Sequence, residues 1–223
     1  MRTIRVTGKG LIKVHPDMTR ITVSLEGRYP EYGETLKRSA EDTEELKDLL
    51  ETFGFKRTEL KTLFFNTDTE YESYEEKVGN RTEYRRRFAG YKFRHVMKVE
   101  FDSDNDRLGE ILYALAGSPL CPEFRLSYTV KNPEAVKNKL LAKAVKDAAA
   151  KAKALTEAAE LYLGSIQSMD YSWGEINFEI EPMGNGLELQ EKCCLGEGGS
   201  LELDIEPDDI EVKDTVTVIW EIL

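Results

Sequence analysis

Few residues in this chain have the type and spacing to do chemistry. His15 and His95 are the only histidines, and no serine, cysteine or carboxylate stands beside either in a known nucleophile–base signature. His95 shares its parity with Phe93 and Met97, so it reads as a core or sheet-edge histidine rather than a general base. His15, in a His15-Pro16-Asp17 turn, is expected in solvent. Asp102-Ser103-Asp104-Asn105-Asp106 has the opening spacing of a calcium loop. Position six, however, is Arg107 where glycine makes the turn, and position twelve is Tyr113 where a bidentate glutamate belongs. A strand end followed by a helix capped by Asp102 or Ser103 is the simpler account. Gly8-Lys9-Gly10 is a strand fragment, not a phosphate loop. Cys121, Cys193 and Cys194 are odd in number and form no CxxC, which argues against a disulfide framework and a thiolate zinc site. No catalytic residue, cofactor or metal ligand is assigned.

One cluster remains. Arg85-Arg86-Arg87 is the most basic run, and Tyr84, Phe88 and Tyr91 interleave aromatics with it, a pattern that suits stacking on single-stranded nucleic acid. The preceding segment carries Glu70, Glu72, Glu75 and Glu76, so cross-strand ion pairing is favoured over nucleic acid. Tyr84, Arg85, Arg86, Arg87 and Phe88 are retained as an interaction patch on a hairpin long enough to clasp a neighbouring subunit.

The elements that must position these residues follow from periodicity. Ile4, Val6, Ile12 and Val14 alternate with Arg5, Thr7, Lys9 and Lys13, predicting a half-buried strand bent or bulged at Gly8 and Gly10. A second strand over Ile21, Val23 and Leu25 is expected to pair with it through the 15–17 turn. Leu36, Ala40, Leu46, Leu49, Leu50 and Phe53 share a helical stripe from 34 to 53, stopped at Gly54. Residues 60–74 and 84–101 read as a hairpin with Gly79-Asn80 at its tip. In its second limb Tyr91, Phe93, His95, Met97, Val99 and Phe101 face one way. A short helix with Leu108, Ile111, Leu112 and Leu115, ending near Gly117, precedes a strand at 124–131. Asn132-Pro133-Glu134 then opens an alanine-rich helix expected to run to Leu163, roughly 32 residues or about 48 Å. Val216, Val218, Trp220 and Ile222 mark the last strand. The one-sided strands predict an α+β fold, a mostly antiparallel sheet covered on one face by helices, with a projecting β-hairpin.

Composition narrows the functional classes. The 223 residues carry a net charge of −11, 40% apolar residues and a mean hydropathy of −0.48, too apolar for a disordered chain. Between 174 and 208 ten carboxylates face the single base Lys192, so that segment holds −9 of the total and the rest is nearly neutral. Within it Ile176, Phe178 and Ile180 alternate with polar residues, as do Leu201, Leu203 and Ile205. Added edge strands, or segments that order against a partner, weigh equally with a mobile loop. The acidity disfavours nucleic acid as a partner. No apolar run reaches the length of a signal-peptide core at the start or of a membrane span anywhere, so a cytoplasmic chain is expected.

IRVTGKGLIKVHPD at the start, GYKFRHVMKVEF in the centre, KNPEAVKNKLLAKAVKDAAAKAKALTEAAELYLGSI, and IEPDDIEVKDTVTVIWEI at the end together resemble the SIMPL domain family, which includes bacterial periplasmic immunogenic proteins. The resemblance spans nearly the whole chain in order, excepting the hairpin tip and most of 174–208. It implies an α+β fold, homo-oligomeric assembly, and links to stress protection, signalling or the cell envelope, with no catalytic residues to carry over. It is read as one SIMPL-like domain over 1–223 with an acidic insertion at about 174–208. The expected function is a non-enzymatic self-assembling or interaction protein, with a protein partner at the hairpin or the acidic segment. The alternative is a metal-dependent hydrolase or other enzyme whose carboxylates converge only in the fold.

Overall fold

The structure, a computed structural model, describes residues 2–78, 81–171, 176–181 and 205–223. Its strands and helices follow the order β1 (Thr3–Val14), β2 (Met18–Tyr29), α1 (Tyr32–Glu51), β3 (Lys61–Val78), β4 (Arg81–Asp102), α2 (Asn105–Gly117), β5 (Glu123–Thr129), α3 (Pro133–Ala158), β6 (Leu163–Tyr171) and β7 (Ile210–Ile222). The fold is α+β, with two antiparallel sheets in place of the single sheet expected, ordered β1-β7-β6 and β3-β4-β2-β5. The chain divides into two compact units: residues 2–18, 128–171, 176–181 and 207–223 form the first, and 19–127 with 205–206 the second.

In the first unit β1 pairs with β7 from Thr3↔Glu221 to Val14↔Ile210 without a register shift. The glycines of β1 therefore mark no bulge, contrary to that part of the expectation from sequence, and make room above the strand. A Cβ at Gly8 would stand 2.0 Å from the carbonyl oxygen of Ala144, and one at Gly10 2.4 Å from that of Leu140. Both carbonyls belong to α3, whose buried row Leu140, Ala144, Ala148, Ala152 and Thr156 repeats every four residues. Small side chains on both surfaces let the helix lie close over Val6, Val216, Val218 and Trp220. At the start of α3 Asn132 caps Ala135 N–H at 3.0 Å and Pro133 occupies the first turn.

The helix stops after 26 residues, short of Leu163. Glu160 takes a left-handed conformation (φ 57°), Leu161 N–H reaches back to Thr156 O at 2.9 Å, and Glu160 N–H reaches Glu157 O at 3.1 Å. This is a Schellman stop built on glutamate, so the glycine expected to end the helix, Gly164, lies instead in β6.

In the second unit β2 and β4 supply Ile21, Val23, Leu25, Phe93, Met97, Val99 and Phe101 to a core closed by Leu46 and Leu50 of α1 and by Leu108, Ile111, Leu112 and Leu115 of α2. β1 and β2 form no hairpin. The turn after β1, in the first unit, is tied to Thr129 at the end of β5 and to Lys131 beyond it: Asp17 N–H donates to Thr129 O, and Lys131 N–H donates to the Asp17 carboxylate at 2.7 Å. On α1 the buried stripe begins at Thr35 and Ser39, while Leu36 and Ala40 are exposed. Thr35 can face the sheet because its hydroxyl donates back to Glu31 O at 2.8 Å. Gly54, at φ 82°, follows α1 as expected.

Of the acidic segment, Ile176, Phe178 and Ile180 pack against Val130, Leu140, Ile210 and Val212, and Ile180 forms an antiparallel bridge with Tyr128. The Leu201 and Leu203 alternation, Cys193, Cys194 and the Gly79-Asn80 tip lie outside the described residues.

Candidate interaction surface

The polar residues with chemical potential are mostly spoken for by the fold. His95 is buried on the helix-covered face of β4. Thr43 donates its hydroxyl proton to Ser39 O at 2.7 Å, so at its 3.0 Å contact with His95 it accepts from Nδ1–H. Nε2 is then the acceptor for the Thr62 hydroxyl at 2.9 Å. Burial first, and the nearby Lys47 charge second, push the imidazole pKa down, which favours this neutral tautomer. His15 is exposed, with Nδ1 3.5 Å from Asp209. In the 102–106 run the cap is Asp104, which accepts from Arg107 N–H at 3.1 Å; neither Asp102 nor Ser103 takes that place. Arg107, the residue that spoils the calcium loop, packs its guanidinium 4.3 Å from the Phe55 ring centroid and donates to Phe53 O at 2.9 Å. Among the described residues no three His, Cys, Asp or Glu side chains gather to hold a metal ion.

The β3–β4 hairpin is different. β2 ends at Tyr29, whose carbonyl lies so near Gly90 that a Cβ there would stand 2.6 Å from it. Gly90 accepts this with φ 135°. At that point the register shifts between Glu70↔Gly90 and Tyr71↔Phe88. Beyond the bulge, residues that pair directly share a face. Tyr71↔Phe88, Ser73↔Arg86 and Glu75↔Tyr84 therefore continue the helix-covered face, while Glu72↔Arg87 and Tyr74↔Arg85 continue the opposite one.

The interaction patch expected from sequence is thereby divided. Arg87 binds Glu72 at 3.1 Å and stands 6.0 Å over the Tyr74 ring, and Arg85 binds Glu76 at 2.9 Å. Arg28 adds contacts to Glu72 at 2.9 Å and Glu70 at 3.6 Å. Hydrogen bonds from Arg87 and then Arg28 hold the Glu72 carboxyl below the usual carboxylate range. An open depression of about 250 Å³ on this ionic side is lined by Glu26, Gly27, Arg28, Glu70 and Lys92, and Lys92 is itself paired with Glu26 at 2.5 Å.

The other face collects aromatics. Tyr32, Tyr91, Phe88 and Tyr71 form a chain of edge-to-face rings with centroids 5.4, 5.3 and 6.2 Å apart, running from the start of α1 out along the hairpin. α1 covers the root of this face, but Tyr71 is 57% exposed, Phe88 49% and Tyr84 76%. Among the described residues Arg86 and Glu75, on the same face, make no ion pair. Sequence reasoning did not single out a second exposed group, Leu63, Phe64 and Phe65 on β3. Three successive large apolar residues in a strand otherwise built on alternation are the signal that marks it.

A family model described as SIMPL, protein of unknown function (DUF541), matches residues 4–220. The chain belongs to the SIMPL family. No curated protein matches this SIMPL chain. Among the described residues none of its helices is long and apolar enough to cross a membrane.

Proposed function

We propose that this SIMPL chain is a non-enzymatic assembly protein that binds a second copy of itself through the aromatic face of the β3–β4 hairpin. The observation that carries the reading is the exposed trio Tyr71, Phe88 and Tyr84 beside Arg86 and Glu75, which make no ion pair among the described residues. Apolar rings of this size repay association, since burying one fully exposed aromatic contributes on the order of 1.5–3 kcal/mol. Six partly exposed rings from two copies then reach the scale of the cost of association, about 4–15 kcal/mol. The charges favour a like partner: across a two-fold axis Arg86 of one copy meets Glu75 of the other, and the same contact recurs by symmetry. A scaffold of this kind would serve the stress protection or signalling that the family resemblance implies.

Light scattering at micromolar concentration tests the reading. Wild type is expected to be oligomeric, Phe88→Ser and Arg86→Glu to lose the hairpin contact, and Arg86→Glu combined with Glu75→Arg to regain it. A monomeric wild type, or a mass unchanged by Phe88→Ser, Tyr84→Ser and Arg86→Glu alike, overturns it.

A further inference from the structure

His95 is buried on β4 at a point that α1 and β3 both reach. Its Nδ1–H donates to Thr43 of α1 at 3.0 Å, and its Nε2 accepts from Thr62 of β3 at 2.9 Å. Phe65 of β3 packs edge-to-face on the ring, centroids 5.1 Å apart. Among the described residues, the side-chain hydrogen bonds that join α1 to β3 all pass through this imidazole. The two joined elements are not equally firm. α1 is anchored by Leu46 and Leu50, both in the core. β3 is the outermost strand of its sheet, and its ladder to β4 shifts register between Thr62 and Phe64, beside the very residue that binds the ring.

The ring's surroundings suit only its neutral form. A proton added at Nε2 turns that acceptor into a donor, so the Thr62 hydroxyl loses the hydrogen bond it donates there. No carboxylate faces the imidazolium that results. From α1 the facing charge is Lys47, of the same sign, whose own partner Glu44 at 2.7 Å is shared with Arg57. Arg57, in the loop before β3, is also held by Asp48 and Glu51. From β3 come Thr62 and Phe65, since Lys61 pairs with Lys98 on the opposite face. β4 and β2 add only Phe93, Met97, Ile21, Val23 and Leu25. A buried charge without a partner is relieved by opening the site to water, and the edge strand with the broken ladder is the element that can yield.

We propose that His95 is a proton-sensitive latch: as neutral imidazole it holds the root of β3, residues 61–67, against α1, and as imidazolium it releases that root while α1 stays in place. The closed form binds the proton more weakly than an exposed histidine, whose pKa is about 6.5. The root is therefore fully latched above that value and opens progressively as pH falls below it. The device is independent of the hairpin contact, because every group in it lies on one chain at the other end of β3.

NMR on the Phe88→Ser protein, in which association through the hairpin plays no part, tests the latch. At pH 7.5 the ring nitrogens are expected to report the Nδ1–H tautomer. Between pH 7.5 and 5.0 the amides of 61–67 that bond to β4 are expected to lose about tenfold in exchange protection, corrected for intrinsic rate, while Leu46 and Leu50 change less than about twofold. His95→Gln, neutral throughout, is expected to abolish the loss. Lys47→Glu supplies the missing counter-charge and is expected to reduce it; this variant leaves the buried ring in place and keeps the test decisive should His95→Gln fail to fold. An Nε2–H tautomer at pH 7.5, protection of 61–67 that does not change with pH, an equal loss in Lys47→Glu or His95→Gln, or a loss shared by Leu46 and Leu50 overturns the latch.

Discussion

Beneath α3, the strand β1 has given up side chains at Gly8 and Gly10 so that the helix can settle over Val6, Val216, Val218 and Trp220. On the β3–β4 hairpin, strands of the same antiparallel kind run past the start of α1 with Tyr71, Tyr84 and Phe88 exposed among the described residues. Both surfaces are apolar on one side. Whether a helix reaches them decides if that apolar area is buried or exposed among the described residues.

The sharpest way to break this contrast is to fill the space in the first region and empty it in the second. Gly8→Val forces a side chain against helix backbone and is expected to cost about 3 kcal/mol. Tyr84→Ser and Phe88→Ser, read on dilute monomer, are expected to stay within about 0.5 kcal/mol of wild type. Urea denaturation gives both numbers, and a hairpin variant that unfolds as early as Gly8→Val would abolish the distinction.

The root of the hairpin belongs with the covered side. Thr43→Val leaves His95 Nδ1–H without an acceptor in a buried site, at an expected cost of about 1–3 kcal/mol. Because folding lowers the His95 pKa below its unfolded value of about 6.5, the unfolded chain takes up a proton first as pH falls. The stability that neutral His95 confers is whole above that value and is lost as pH drops toward the folded pKa. Denaturation midpoints from pH 7.5 to 5 should therefore fall more steeply in wild type than in His95→Gln. Equal slopes would mean that burial at this site does not matter.

Two smaller effects sharpen the comparison. Glu160→Gly relieves a left-handed residue at the end of α3 and is expected to stabilise by about 0.5–1 kcal/mol, seen as a higher urea midpoint. Arg87→Ala breaks an exposed pair on the ionic face and is expected to move the melting temperature by less than about one degree, since solvent screens such pairs.

Much of the local structure was legible. The alternation Tyr91 to Phe101 placed the buried face of β4, and Asn132-Pro133 marked the first turn of α3, because each signal lies within a few residues of what it describes. Thr35 escaped notice as a buried position because its hydroxyl is satisfied by backbone, donating to Glu31 O, which a hydropathy pattern does not count. β6 was missed because its apolar residues Leu163, Ile166, Met169 and Tyr171 straddle two register shifts and lose strict alternation. The basic run was visible, yet its division into paired Arg85 and Arg87 and unpaired Arg86 follows from cross-strand register.

From its own residues, then, this protein determined where all of its strands and helices but β6 form, which face of most of them is apolar, and that its acidity is concentrated near residues 174–208. Only the tertiary structure decided that β1 joins β7 rather than β2, that α3 ends at Glu160, and that Tyr71, Tyr84 and Phe88 are exposed among the described residues. Periodicity is set by neighbours along the chain. Pairing and coverage depend on residues more than two hundred positions away, as in Thr3↔Glu221, and on backbone hydrogen bonds that leave no mark in composition.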